Sequence, residues 1–347
     1  MNAIAYLQPV KRLLSRPYWA FREGLSKFPA WLGDATKAFA MLALLRPAAN
    51  WLPRKWACSL ASLCGRLHAS MPFYGRKKYH IVRQTLANDP KEARRLTAGL
   101  LSRHFIDFVI YRRYINGKEN LQEYPVIESN AQIVDEFRRS NSSYIIVTGH
   151  FSRHAFMPMY IPRFIPQRII SIVNPPIPKS LHPHKIWSRA HYGQMMKFLE
   201  RVRSDMQFLS PGNSNLFKKL IRGIKEPGNA LVVSVDAPWD RNRPGSIVRP
   251  FAGRKSASFS TGTARLARLT QSPMILCIPH MDDHGRVRLD WIRSIAPPDP
   301  QDVQADIVNT NLLLDDIERA IGLRPDQYVI DVFGQRRWNR KTQRWEE

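Results

Sequence analysis

Acidic residues are scarce in this chain of 347 residues: 28 Asp and Glu stand against 53 Lys and Arg, and none lies between Glu136 and Glu200. The formal charge of +25 implies an anionic partner, such as nucleic acid, an acidic membrane surface, a phosphorylated substrate or an acidic carrier protein. Cysteine is scarcer still. Cys58, Cys64 and Cys277 are odd in number and lack paired ligand spacing, so neither a disulfide framework nor a zinc site is expected and a reducing compartment fits best. No apolar run approaches the ~18 residues of a spanning helix. Also missing are a Gly-x-x-x-x-Gly-Lys-Ser/Thr run, an RNP aromatic motif, a Cys/His finger and a basic region feeding heptads. Nucleotide hydrolysis and nucleic-acid binding are therefore not expected.

What is present suffices for a core, with 44% hydrophobic and 10% aromatic residues. The positive charge is spread out. Residues 1–117 hold 20 basic and 5 acidic residues, and Arg138 to Arg254 hold 19 and 5. Ala38 to Leu45 is apolar, closed by Arg46 and Pro47, and a second apolar stretch runs from Trp56 to Gly65, with Trp51 and Trp56 at the edges. Such segments suit helices lying in the lipid headgroup plane; a core helix pair is the plainer alternative. Met1–Val10 is apolar but no long hydrophobic region with a cleavage site follows, so a cytoplasmic-side protein is expected. We divide the chain into an amino-terminal helical region, 1–66, and an α/β domain, 67–347.

Helical spacing covers Arg76 to Leu101, broken at Asp89-Pro90, and a further helix is expected from Leu101 to Tyr114. The period then changes. Ser143–Thr148 reads as a buried strand, as do Arg168–Val173, Ala230–Val235, Met274–Pro279 and Val287–Ile292, with helices at Ser214–Ile224 and Thr261–Leu269. Strands alternating with helices predict a mostly parallel sheet flanked by helices.

Three places could carry chemistry. Thr148-Gly-His-Phe-Ser-Arg-His154 follows a buried strand, where ligands of open α/β sheets bind. There His150 is placed to take a proton from an acceptor hydroxyl, or merely to cap the strand. Asp236, in Val235-Asp-Ala-Pro-Trp-Asp240, ends another apolar run and could orient a histidine or cap a turn. The segment Arg249 to Thr263 leads into a helix; its Gly, Ser and Thr amides with Arg249, Arg254 and Lys255 suit a phosphate or other anion. His182, His184 and His191 match no metal-ligand spacing, and no metal is expected.

Together these pieces resemble the late acyltransferases of lipid A biosynthesis, the lauroyl/myristoyl transferases within the wider glycerol-phosphate-type acyltransferases. The likeness runs from about Trp51 to the end. It includes Arg76–Leu86, Gly149-His-Phe151 and the Asp236 turn; it is strongest over Pro250-Phe-Ala-Gly253 and Ser260–Leu269, and recurs at Pro325-Asp-Gln-Tyr-Val329 before Arg336-Arg337. The resemblance implies a glycerol-phosphate-acyltransferase-like fold and transfer of an acyl group from acyl carrier protein or coenzyme A to a hydroxyl of a phosphorylated glycolipid. The expected place is the cytoplasmic face of a bacterial inner membrane, with a peripheral or monotopic attachment. No cofactor is implied beyond the acyl thioester co-substrate. His150 matches the histidine of the family's His-x4-Asp/Glu motif, but its acidic position falls on Ala155, and Asn174-Pro175 stands where the family tends to have Arg-Pro. Three outcomes are open: Asp236 reaches His150 from a neighbouring strand, His154 shares the work, or ordinary acyl transfer is lost. His150 and Asp236 are the catalytic candidates. Arg153, His154, Asn174, Arg249, Arg254, Thr261, Gly262 and Thr263 are the candidate substrate contacts. An altered acyl or aminoacyl carrier substrate, or a silent lipid or carrier binder, are the alternatives.

Overall fold

The structure, a computed structural model, describes residues 39–70, 74–87, 89–120, 126–151, 157–172, 206–209, 215–239, 241–282, 286–328, 337–339 and 344–346. Its centre is a seven-stranded sheet. In chain order the sheet strands are β1 (Val126–Ser129), β2 (Tyr144–Thr148), β3 (Arg168–Ile172), β4 (Met206–Leu209), β5 (Asn229–Ser234), β8 (Met274–Met281) and β9 (Val287–Ile295). Two short strands, β6 (Ser246–Phe251) and β7 (Arg254–Ser260), form a separate antiparallel hairpin, as do β10 (Arg337–Asn339) and β11 (Arg344–Glu346). The sheet order is β1-β9-β8-β2-β5-β3-β4. Strands β8, β2, β5, β3 and β4 are mutually parallel, while β9 runs antiparallel to β8 and carries β1 parallel to itself. The expected α/β architecture with a mostly parallel sheet is what the chain adopts.

Strand β2 lies at the centre and is buried at all five positions, which explains its continuous Tyr-Ile-Ile-Val-Thr run. Each such aliphatic side chain contributes roughly 1.5–3 kcal/mol on full burial. Alternate residues face opposite layers. Ile145 and Val147 join a core with Leu231, Leu266, Leu313 and Ile317, while Tyr144 and Ile146 join a second with Ile110, Tyr160 and Trp291.

The stretch expected to hold a helix boundary at Leu101 is one helix, Pro90–Ile115. Asp89 caps its start by accepting from the Glu92 N–H at 3.0 Å, with Pro90 in the first turn. Nothing breaks it at Leu101, because no Gly-Pro or polar cluster interrupts it there and Leu100, Leu101 and Ser102 are all buried. Against it packs the helix Arg54–Ser70, which runs unbroken through residue 66. The packed face carries Ala57, Ala61, Gly65 and His68. The contact at Gly65 is so close that an added Cβ would lie 2.4 Å from Ser102 Cα. The opposite face is apolar too: Trp56, Leu63 and Leu67 are exposed there, with Trp51 and Leu52 just before.

Strands β1 and β4, the β6–β7 and β10–β11 hairpins and the helix Ala305–Leu323 are among the elements that the sequence pattern does not announce. The β6–β7 hairpin turns at Ala252-Gly253, both with positive φ (47° and 76°), the geometry a two-residue hairpin of matching twist requires. Its apex is seated on the end of the helix Tyr74–Thr85, where a Cβ on Gly253 would meet Thr85 O at 2.2 Å.

Candidate active site

The strand register places the two catalytic candidates. In the parallel β2–β5 pair Thr148 lies opposite Ser234, and both chains run on together, with Val235 N–H donating to Thr148 O at 3.1 Å. His150 and Asp236 each lie two residues past that pair, outside the carboxyl ends of the central strands. Open α/β sheets place their ligands there.

Asp236 is fully buried and accepts three hydrogen bonds. The His150 backbone N–H reaches Oδ2 at 2.8 Å, the His150 ring Nδ1 lies 2.6 Å from Oδ1, and the Tyr328 hydroxyl donates to Oδ2 at 2.8 Å. Of the outcomes left open by the sequence, the first is realised in the geometry: the carboxylate that approaches His150 comes from the neighbouring strand. Gly149 keeps the approach possible, since a Cβ there would lie 3.0 Å from the Phe151 ring, 3.1 Å from Ile317 and 3.3 Å from Asp236 Oδ2.

The electrostatics follow from this dry, paired setting. Burial is the largest influence on Asp236 and would raise its pKa, but the His150 charge with the hydrogen bonds from His150 and Tyr328 outweighs it, and the carboxyl sits below its usual range. For His150 burial again weighs most and disfavours the imidazolium, yet the charge and hydrogen bond of Asp236 together carry its pKa above the ordinary value. An ionised carboxylate can only accept, so Nδ1 carries the proton and the lone pair of the neutral ring is on Nε2. The His150 side chain keeps 22% of its surface exposed while Asp236 keeps none. The pair is therefore a base with a reachable ring and a shielded counter-charge.

The third candidate place is built differently from the open anion cradle its composition suggests. Arg249 is bound to the helix Ala305–Leu323, 2.6 Å from Asp315 and 3.2 Å from Glu318. Thr261 N–H donates to Gly245 O at 2.8 Å and Gly262 N–H to Ser260 Oγ at 3.0 Å, so two amides at that helix start are engaged within the chain. Thr263 is half-buried in the first turn. Arg254 is half-buried, and burial lowers its pKa while the neighbouring Tyr328 works the other way. The loop after Asp236 touches the hairpin, with Trp239 N–H donating to Ser258 O at 2.8 Å and Arg243 stacked over the Trp239 ring. Thus Asp236 and Arg254 lie on connected elements, whereas Arg249 faces acidic partners. Arg153, His154, Ala155, Asn174 and the histidines 182, 184 and 191 lie outside the described residues. Among the described residues no group of three or more His, Cys, Asp or Glu side chains is placed to hold a metal ion.

Tyr328 went unassigned in the sequence reading. Its signal was position alone, inside Pro325-Asp-Gln-Tyr-Val329.

The chain matches no model of a known protein family and no curated protein. Among solved structures it is similar to the 1-acyl-sn-glycerophosphate (LPA) acyltransferase PlsC from Thermotoga maritima, at 14% sequence identity and a TM-score of 0.36, over 80% of this chain and 99% of that one.

Proposed function

We propose that this protein is an acyltransferase that moves an acyl group from a carrier-protein or coenzyme A thioester to a hydroxyl of a membrane glycolipid, of the lipid A type. The observation that carries the reading is the 2.6 Å approach of Asp236 to His150 at the carboxyl edge of the sheet. It supplies the orienting acid that Ala155 lacks in the motif. In the reaction His150 Nε2 takes the hydroxyl proton as that oxygen attacks the thioester carbonyl. The carbon–sulfur bond then breaks, and the imidazolium returns its proton to the departing thiolate. Asp236 supports the imidazolium between the two transfers.

A membrane acceptor is supported by the exposed aromatic face. Trp51 and Trp56 are 81% and 68% exposed, with Leu63 and Leu67 further along the same surface and the basic Lys55 and Arg66 among them. Apolar side chains flanked by cations fit an anionic headgroup layer. Among the described residues no helix is long and apolar enough to cross a membrane. The proposed attachment is along the surface, through this exposed face. The proposed location is the cytoplasmic face of the inner membrane.

The test is to incubate the protein with long-chain acyl and aminoacyl carrier thioesters and coenzyme A thioesters, with a lipid A precursor in vesicles, and to measure labelled lipid. Transfer by the wild type and none by His150→Ala is expected. Full transfer by His150→Ala would sink the assignment, and transfer from aminoacyl donors alone would favour the altered-substrate reading.

A further inference from the structure

The short turn Pro325–Gln327 is anchored from three separate elements. Arg103, on the helix Pro90–Ile115, donates from Nε to Asp326 O at 3.1 Å and pairs with its carboxylate at 2.6 Å. Gln327 is doubly bonded to Met281 at the end of β8, accepting from its N–H and donating to its carbonyl, both at 2.8 Å. Arg324, just before the turn, lies 3.2 Å from Asp290 on β9. All this ends in Tyr328, fully buried, paired with Phe151 as an antiparallel bridge and with its ring edge-on to that of Phe151 at 5.4 Å. The residue so held presents its hydroxyl to the one oxygen of Asp236 that the His150 ring does not take.

Resting on the acyltransfer reading above, we infer that Tyr328 is a positioning residue of the site, the third member of a His150–Asp236–Tyr328 chain, which holds the Asp236 carboxylate in the rotation that keeps Oδ1 on the His150 ring. The His150 ring on Oδ1 and the His150 amide on Oδ2 are two donors from one residue, and the last torsion of Asp is otherwise broad. The Tyr328 hydroxyl is a second donor on Oδ2 from a separate, anchored element, and it holds the carboxylate independently of His150. The phenol serves as donor because burial, and then the Asp236 charge, hold its pKa well above the ordinary value.

Tyr328→Phe removes the hydroxyl and keeps the ring against Phe151. The readouts are the His150 imidazole titration by NMR, thermal unfolding, and kcat and KM for acyl transfer. The expected result is a His150 titration moved to lower pH, because a less firmly held Asp236 carboxylate supports the imidazolium less, with kcat lowered roughly tenfold and KM little changed. A titration that stays in place or moves to higher pH in a folded variant overturns the inference. If the titration moves but neither protein transfers an acyl group, the positioning role stands and the acyltransfer reading fails. Should the variant not fold, Arg103→Met loosens the turn from outside the core. A smaller shift in the same direction supports the inference, and an unchanged titration overturns it.

Discussion

Asp236 and His150, 86 positions apart in the chain, are brought to 2.6 Å by the parallel pairing of β2 and β5, and the same carboxylate also takes the His150 backbone N–H. The acid thus grips both the ring and the main chain of the base. This two-point contact fixes the tautomer and the ring plane together.

Asp236→Asn tests the tautomer. An amide offers a donor where the carboxylate offers only acceptors, so it turns the ring nitrogen's role around while preserving shape. In the Ser-His-Asp triad the loss of the orienting carboxylate lowers turnover about 10⁴-fold, and a drop approaching that order is expected here. Single-turnover kinetics on the acyl thioester measures it, and a loss under about tenfold would show that Asp236 is only a cap.

The pH profile follows from the direction of the shifts. Proton removal needs neutral His150, whose pKa is raised, so kcat/KM should climb with pH through a value above the ordinary imidazole value near 6.5. The pair's contribution to stability has two limits. The His150 part is complete below about 6.5 and is lost as pH rises through the raised folded value. The Asp236 part is complete above the ordinary carboxyl value and is lost as pH falls through its lowered one. A rate profile whose acid limb lies below 6.5 would contradict the pairing in the working enzyme.

Gly65→Ala distinguishes packing from propensity. On an open helix surface the change stabilises by up to about 1 kcal/mol. Here the new methyl would meet the Ser102 backbone, Cα at 2.4 Å and N at 2.5 Å, and neither helix can yield by a side-chain rotation. A loss of about 1–3 kcal/mol is expected in urea unfolding, and a gain would show that the two helices do not meet there.

The exposed aromatic face makes a prediction independent of catalysis. Trp51→Ala with Trp56→Ala should lower co-sedimentation with anionic vesicles tenfold or more and leave thermal unfolding almost unchanged, since both side chains are largely exposed. Raised salt should weaken binding further through Lys55 and Arg66. Equal binding by the double variant would assign the face to something other than lipid.

The central strand was legible because a parallel strand buried on both faces needs an unbroken β-branched and aromatic run, as in Tyr144–Thr148. The helix Ala305–Leu323 and the β6–β7 hairpin were not read. In the hairpin Ser246–Ser260, exposed and buried residues mix without clean alternation, and Ala252 takes a left-handed conformation more often given to Gly or Asn. Arg249 shows a different limit. Its charge reads equally well as a ligand for an anion or as a partner for Asp315 and Glu318, which local pattern cannot tell apart.

The +25 charge, the α/β class and the singling out of His150 and Asp236 came from the residues alone, because composition and local period depend on near neighbours. The partnership of those two residues, and the arrival of the Tyr328 hydroxyl on the same carboxylate, were decided by the fold. Strand order and register bring together groups that the chain keeps 86 and 92 residues apart, and no local periodicity encodes which strand lies beside which.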